Sequence, residues 1–279
     1  MNFFMSNVHG DADAYKEMKR RMEIRKNDTL YLLGDVLDGN NGDPGACIEI
    51  LDDIMQNDNV ILLLGDHEYF HVMYYIARKS NSEEDIKYFY DKLCHLDYTG
   101  KPLLRYFMNN MSSKEYSKYM TYLTECNMSA FLKIGDFSFY LVHSSPCKCK
   151  EPELWQEDII RIPMDLNKDY AQDIDSDPDM KSFLKKDPTL RVGRAITIAG
   201  GEPVKTYFEK DEKLLESIPK DSIGLKKQKI IVKGNKALIN CGWSASGKKV
   251  CDGWESDLAC LYVDAAGFNV SYLSDDFNK

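Results

Sequence analysis

The sequence predicts an α/β protein built on buried parallel strands, and two observations carry that expectation. The first is a series of short apolar runs, each stopping abruptly at polar residues. Phe3-Phe4-Met5 precedes Ser6-Asn7-Val8-His9-Gly10, Leu30 to Leu33 precedes Gly34-Asp35, and Val60 to Leu64 precedes Gly65-Asp66-His67-Glu68. Phe137 to Val142 then precedes His143, and Ala195 to Ala199 precedes Gly200. The second is helical periodicity between the first three runs, which makes a strand–helix–strand–helix–strand alternation.

Continuous apolar runs of four to six residues suit strands covered on both faces. Between the first two runs, Asp13 to Ile24 is read as a helix, with Tyr15, Met18, Met22 and Arg25 at spacings of three and four. Between the second and third, Pro44 marks a helix start, and Ile48, Leu51 and Met55 fall on one face of Ala46 to Met55. Such alternation implies parallel neighbours joined by right-handed crossovers. Residues at the carboxyl ends of those strands then converge on one edge of the sheet, where α/β proteins place ligands.

The remainder is read as additions to one domain spanning residues 1–279. Residues 69–127 form a helical excursion rich in Tyr and Met, and residues 146–193 a long irregular excursion. Residues 205–228 are charge-dense and read as a loop or short helix. The chain returns to β character at Lys229 to Val232, Ala237 to Asn240, Leu258 to Val263 and Phe268 to Tyr272.

Composition narrows the function. At 43% hydrophobic and 29% charged residues, the composition is close to globular averages and argues against global disorder. A net charge of -9 argues against general nucleic-acid or anionic-membrane binding, because both need a positive surface. Met1 to Ser6 has no basic region or apolar core, so no signal peptide is expected, and no run approaches the roughly 18 apolar residues of a membrane span. The eight cysteines are read as free thiols in a reducing cytoplasm.

The strand ends present Asn7, His9, Asp35, Asp38, Asp66, His67 and His143. Carboxylate oxygens and imidazole nitrogens suit divalent metals, and one shared carboxylate can bridge two ions. In order, Asn7-Val8-His9, Gly34 to Asp38, Gly65 to Glu68, His143 and Gly200-Gly201 resemble the motifs of the calcineurin-like metallophosphoesterases, in their phosphoprotein-phosphatase branch. Those motifs are Asp-x-His, Gly-Asp-x-x-Asp, Gly-Asn-His-Glu, a lone His and Gly-His. Leu238 to Gly242 and Leu258 to Leu261 are similar to the family's closing strands.

The resemblance implies a four-layer fold, two mixed β-sheets packed as a sandwich and flanked by helices. It also implies one or two divalent ions, with manganese, iron or zinc compatible. Asn7, His9 and Asp35 would hold the first; Asp35, Asp66 and His143 the second. His67 would protonate the leaving group, oriented by Asp38, while a metal-activated hydroxide attacks in line. The expected activity is hydrolysis of a phosphate ester or nucleotide polyphosphate, on a phosphorylated small molecule, nucleotide or phosphoprotein. The alternative is an impaired pseudo-phosphatase that binds a partner.

That alternative arises from departures. Asn7 stands where the family has Asp, Asp66 where it has Asn, and Gly201 where it has a His ligand; Glu202, the next residue, is a candidate replacement. Gly39 and Phe70 occupy the places of two phosphate-gripping arginines, for which Arg161, Arg194 or Lys205 are possible substitutes. Cys147-Lys148-Cys149 lacks the second pair of a thiolate site and is read as loop. His71 shares a helix face with His67 and is read either as cleft-lining or as packed, with packing favoured. Cys94-His95 is read as structural, and Trp155, Trp243 and Trp254 as core or cleft-mouth residues.

Overall fold

The computed structural model describes residues 1–38, 43–95, 100–135, 137–143, 159–163, 195–200, 226–227, 230–233, 236–239, 250–251, 254–255, 257–264 and 267–273. The first half alternates as the sequence predicts: β1 (Asn2–Met5), α1 (Ala12–Arg21), β2 (Thr29–Leu33), α2 (Pro44–Gln56) and β3 (Val60–Leu63). β2 pairs in parallel with both β1 and β3.

The helix ends follow local chemistry. Asp11 caps α1 by accepting from the Ala14 amide at 2.9 Å. Glu23 sits at a φ of +48°, which breaks the helical path, so Met22 and Arg25 lie past the helix rather than on its face. In α2, Asp43 accepts from the Gly45 amide and Pro44 occupies the first turn. Its buried face is Cys47, Ile50, Leu51 and Ile54; Ile48 and Met55 flank that face rather than centre it.

Four helices follow: α3 (Asp66–Ser80), α4 (Glu83–His95), α5 (Gly100–Asn110) and α6 (Ser113–Glu125). They supply Tyr69, Phe70, Phe89, Phe107 and Met120 to the core beside β1, β2 and β3. β4 (Asn127–Ile134) was not expected from the sequence; it pairs antiparallel with β5 (Phe137–Val142). Within the stretch read as irregular, β6 (Ile159–Pro163) also pairs with β4. β7 (Ile196–Ala199) lies parallel to β5. Then come β8 (Lys226–Lys227), β9 (Ile231–Lys233), β10 (Lys236–Leu238), β11 (Val250–Cys251), β12 (Trp254–Glu255), β13 (Ala259–Asp264) and β14 (Gly267–Tyr272).

The main sheet is mixed, in the order β14-β13-β1-β2-β3-β4-β5-β7-β10-β9, with β6 on β4; β8, β11 and β12 form a small second sheet. β3 and β4 share a single register pair, Leu63 with Asn127. The Phe4 and Phe139 rings nevertheless lie 6.5 Å apart, although β1 and β5 are four strands apart. At about 4.8 Å per strand a flat sheet would separate them by nearly 20 Å, so the sheet curls over itself. Phe4, Tyr31, Leu33, Leu63, Leu132, Phe139, Leu141 and Ile198 fill the space inside that curl. No helix among the described residues is long and apolar enough to cross a membrane.

Candidate metal centre

The polar residues following β1, β2, β3, β5 and β7 meet at one rim. Asn7, His9, Asp35 and Asp38 all have left-handed backbone, with φ of +56°, +48°, +56° and +59°. Asn, Asp and His adopt that region more readily than other side chains, so the ligand-type residues also suit the turns that aim them. Close backbone approach sets the glycines: a Cβ on Gly65 would lie 2.2 Å from Asp35 Oδ1, and one on Gly34 would lie 2.5 Å from His143 Nδ1.

Among the described residues two groups of metal-type ligands result, His9 with Asp35 and His67, and Asp35 with Asp66 and His143; within each, the ligand atoms lie within 4.8 Å of one another. Asp35 belongs to both. Its Oδ2 is 3.2 Å from His143 Nε2 and 3.9 Å from His9 Nε2, and Asp66 Oδ1 is 3.3 Å from His143 Nε2. Asp35 Oδ1 is buried without a hydrogen-bond partner among the described residues. Asp66 and His9 keep side-chain exposures of 29% and 17%, so the rim opens to solvent through them.

Each imidazole is anchored through one nitrogen. His143 Nδ1 donates to the Leu33 carbonyl at 2.6 Å, which leaves Nε2 for the carboxylates. His9 bonds the Leu37 backbone. His67 Nδ1 donates to Asp38 Oδ2 at 3.1 Å. Backing of this kind fixes the tautomer of a ligating or proton-carrying histidine.

The charges are strongly coupled. Burial would raise the Asp35 carboxyl, but His143, His67 and His9 hold it well below the usual range. Burial likewise opposes protonation of His67 and His143, yet Asp35 and the other nearby carboxylates push both well above the ordinary imidazole value. His9 is lowered, chiefly by burial. For Asp38, His71 and His67 outweigh burial and keep the carboxylate ionised.

Glu68 is fully buried and binds four backbone amides. Oε2 accepts from Asp35 and Gly65 at 2.8 and 2.9 Å, and Oε1 from Val36 and Leu37 at 2.9 Å each. It ties the start of α3 to the turn after β2, so Asp35 and Asp66 move together. The sequence reading gave Glu68 no role; its place directly after His67 was the available signal.

A model of the calcineurin-like phosphoesterase family matches residues 3–253. The chain belongs to that family. Its solved structural neighbours are distant. A hypothetical protein from Pyrococcus horikoshii is 13% identical, with 99% of this chain and 90% of that one covered, at a TM-score of 0.46. A metallophosphoesterase from Sphaerobacter thermophilus is 12% identical (97% and 87% covered), also at 0.46. A protein serine/threonine phosphatase from Saccharomyces cerevisiae, similar to human phosphatase PP5, is 11% identical (100% and 81% covered), again at 0.46. A search of curated proteins finds no match.

Calcineurin-like phosphoesterases are generally metal-dependent hydrolases of phosphate esters, and this member brings His9, Asp35, Asp66, His67 and His143 together. Asn7 is buried at the same rim, but its amide nitrogen is committed elsewhere, to Ser6 Oγ at 2.6 Å and the Gly200 carbonyl at 2.5 Å. Phe70 is fully buried, with Lys92 6.0 Å from its ring centroid, so the place of one family arginine is core. His71 is also fully buried, as favoured, but bonds Asp38 rather than merely packing. Gly39, Gly201, Glu202, Arg194, Lys205, Cys147, Cys149, Trp155 and Trp243 lie outside the described residues.

Proposed function

We propose that this chain is a metal-dependent phosphoesterase acting on a phosphomonoester or nucleotide polyphosphate. The observation that carries the reading is Asp35: a buried carboxylate belonging to two ligand groups, with one oxygen that has no hydrogen-bond partner among the described residues. An ionised oxygen without a partner is costly in a protein interior and is relieved by a cation. The donor set of carboxylates and pinned imidazoles fits a divalent ion of the manganese, iron or zinc kind.

Asp35, Asp66 and His143 would hold one ion. His9, Asp35 and the Asn7 amide oxygen would hold a second, more weakly because that amide carries no charge. Glu202 is the candidate for the ligand missing at Gly201. A bound ion supplies Lewis acidity toward phosphoryl oxygens and lowers the pKa of a coordinated water. The protein's own part is proton delivery. With His67 Nδ1 committed to Asp38, Nε2 is the nitrogen left to protonate a leaving oxygen.

The single-pair seam between β3 and β4 supports reading the curled sheet as the two inner layers of a four-layer sandwich in one domain. The second reading, a pseudo-phosphatase, draws on the commitment of Asn7 to Gly200 and the burial of Phe70. Assay of p-nitrophenyl phosphate hydrolysis with manganese decides between them. Activity that is lost with chelator and in Asp35→Asn supports the enzyme, with His67→Ala lost on an alkyl phosphate rather than on this ester; no activity with manganese, iron or zinc supports the binding protein.

A further inference from the structure

The carboxylate of Asp38 receives two imidazoles, not one. His67 Nδ1 meets Oδ2 at 3.1 Å, while His71 Nε2 lies 3.0 Å from both Oδ1 and Oδ2. His71 stands one helical turn beyond His67 on α3, fully buried, its ring edge-on to Phe107 of α5 with centroids 5.6 Å apart and planes at 85°. An ionised carboxylate only accepts, so His71 Nε2 carries a hydrogen and donates it. Its other nitrogen, Nδ1, is buried with no hydrogen-bond partner among the described residues. A histidine that served only to fill apolar space would be a poor choice here, because that orphaned nitrogen costs stability which Leu or Phe would avoid.

We propose that His71 is a positioning residue for proton delivery by His67, acting through Asp38. The torsion that orients an Asp carboxylate is broad when nothing restrains it. A donor straddling both oxygens from one side fixes the carboxylate plane, so Oδ2 stays aimed at His67 Nδ1. The His67 ring is then held with Nε2 available to a leaving oxygen. Phe107 supplies the wall that keeps His71 itself from turning. This inference rests on the hydrolytic reading given above, but its geometry can be tested separately.

The manganese-loaded enzyme is compared with His71→Leu and His71→Gln on two substrates. p-Nitrophenyl phosphate has a leaving group that departs without a proton, whereas an alkyl phosphate needs one. General acid catalysis is worth about 10²–10⁴ in rate, so His71→Leu should lower kcat on the alkyl ester by roughly 10- to 100-fold, with KM unchanged. The nitrophenyl ester should change less than about threefold, and His71→Gln, which keeps a donor near Nε2, should recover most of the loss. Equal losses on both esters, or none, would overturn the proposal. In parallel, the His67 Nδ1–H proton is followed by NMR and should exchange faster with water in His71→Leu. If the wild type hydrolyses nothing, the hydrolytic reading fails while this signal still judges the positioning role, and an unchanged signal overturns it. Should the leucine variant not fold, His71→Asn, too short to reach Asp38, gives the same two readouts.

Discussion

The Asn7 side-chain amide donates to the main-chain carbonyl of Gly200 at 2.5 Å, tying the end of β1 to the end of β7 across 193 residues of sequence. Ser6 Oγ, which itself donates to the Leu33 carbonyl at 2.8 Å, accepts the amide's second hydrogen. Asn7 is therefore a donor as well as a strand-end residue, and an aspartate there would set a negative oxygen against a carbonyl.

Asn7→Asp should accordingly move two quantities in opposite directions. The metal-free protein should lose about 1–3 kcal/mol, because the buried NH2 group that serves both the Gly200 carbonyl and Ser6 Oγ is gone. Metal should bind more tightly, since a charged oxygen replaces a neutral one. Thermal unfolding with and without manganese checks both: a lower metal-free midpoint and a larger metal-induced rise are expected.

Glu68 should be critical to stability despite touching no substrate. Glu68→Gln keeps the shape but turns an NH2 group toward two of the four amides that the carboxylate binds. A loss of about 3 kcal/mol is expected, against a typical total of about 5–15 kcal/mol. Urea unfolding measures it, and a change within about 0.5 kcal/mol would show that the four bonds do not hold the turn.

Gly65→Ala tests how closely β3 approaches the turn after β2. The new methyl would meet Asp35 Oδ1 at 2.2 Å and the Asp35 amide nitrogen at 2.7 Å, and backbone cannot yield as a side chain tip can. Overpacking of about 1–3 kcal/mol is expected, together with weakened metal binding, because Asp35 must move. Calorimetric titration of the folded variant reads the second effect.

Stability should fall on the alkaline side. Burial pushes the Cys260 thiol up to about 12 and, with the Asp53 acceptor, raises the Tyr15 hydroxyl too. Folded-state pKa values above the unfolded ones mean that this stability is intact below about pH 8.5, the ordinary thiol value. It then declines as the pH rises toward the folded values. The urea midpoint should hold to about pH 8.5 and then drop, less steeply for Cys260→Val.

Much of this arrangement was legible in the sequence, and the failures have physical causes. Runs such as Leu30 to Leu33 stand out because strands covered on both faces have no polar alternation to blur them. The ligand-type residues at their ends were visible for the same reason. β4 was missed because Asn127-Met128-Ser129-Ala130 suits helix as well as strand; only pairing with β5 and β6 decides it. The short α1 turned on the left-handed backbone of Glu23, which periodicity does not reveal. The second imidazole on Asp38 was half visible: the spacing put His71 on the face of His67, but only the fold brings the carboxylate between them.

On the proposed function, Asp35 would hold divalent metal between the two ligand groups. The most direct test is calorimetric titration of metal-free protein with manganese and zinc, beside Asp35→Asn. One or two ions per chain are expected, bound at micromolar concentration or tighter, with binding lost or weakened at least about 100-fold in the variant. No binding at millimolar metal, or equal binding by Asp35→Asn, would contradict it.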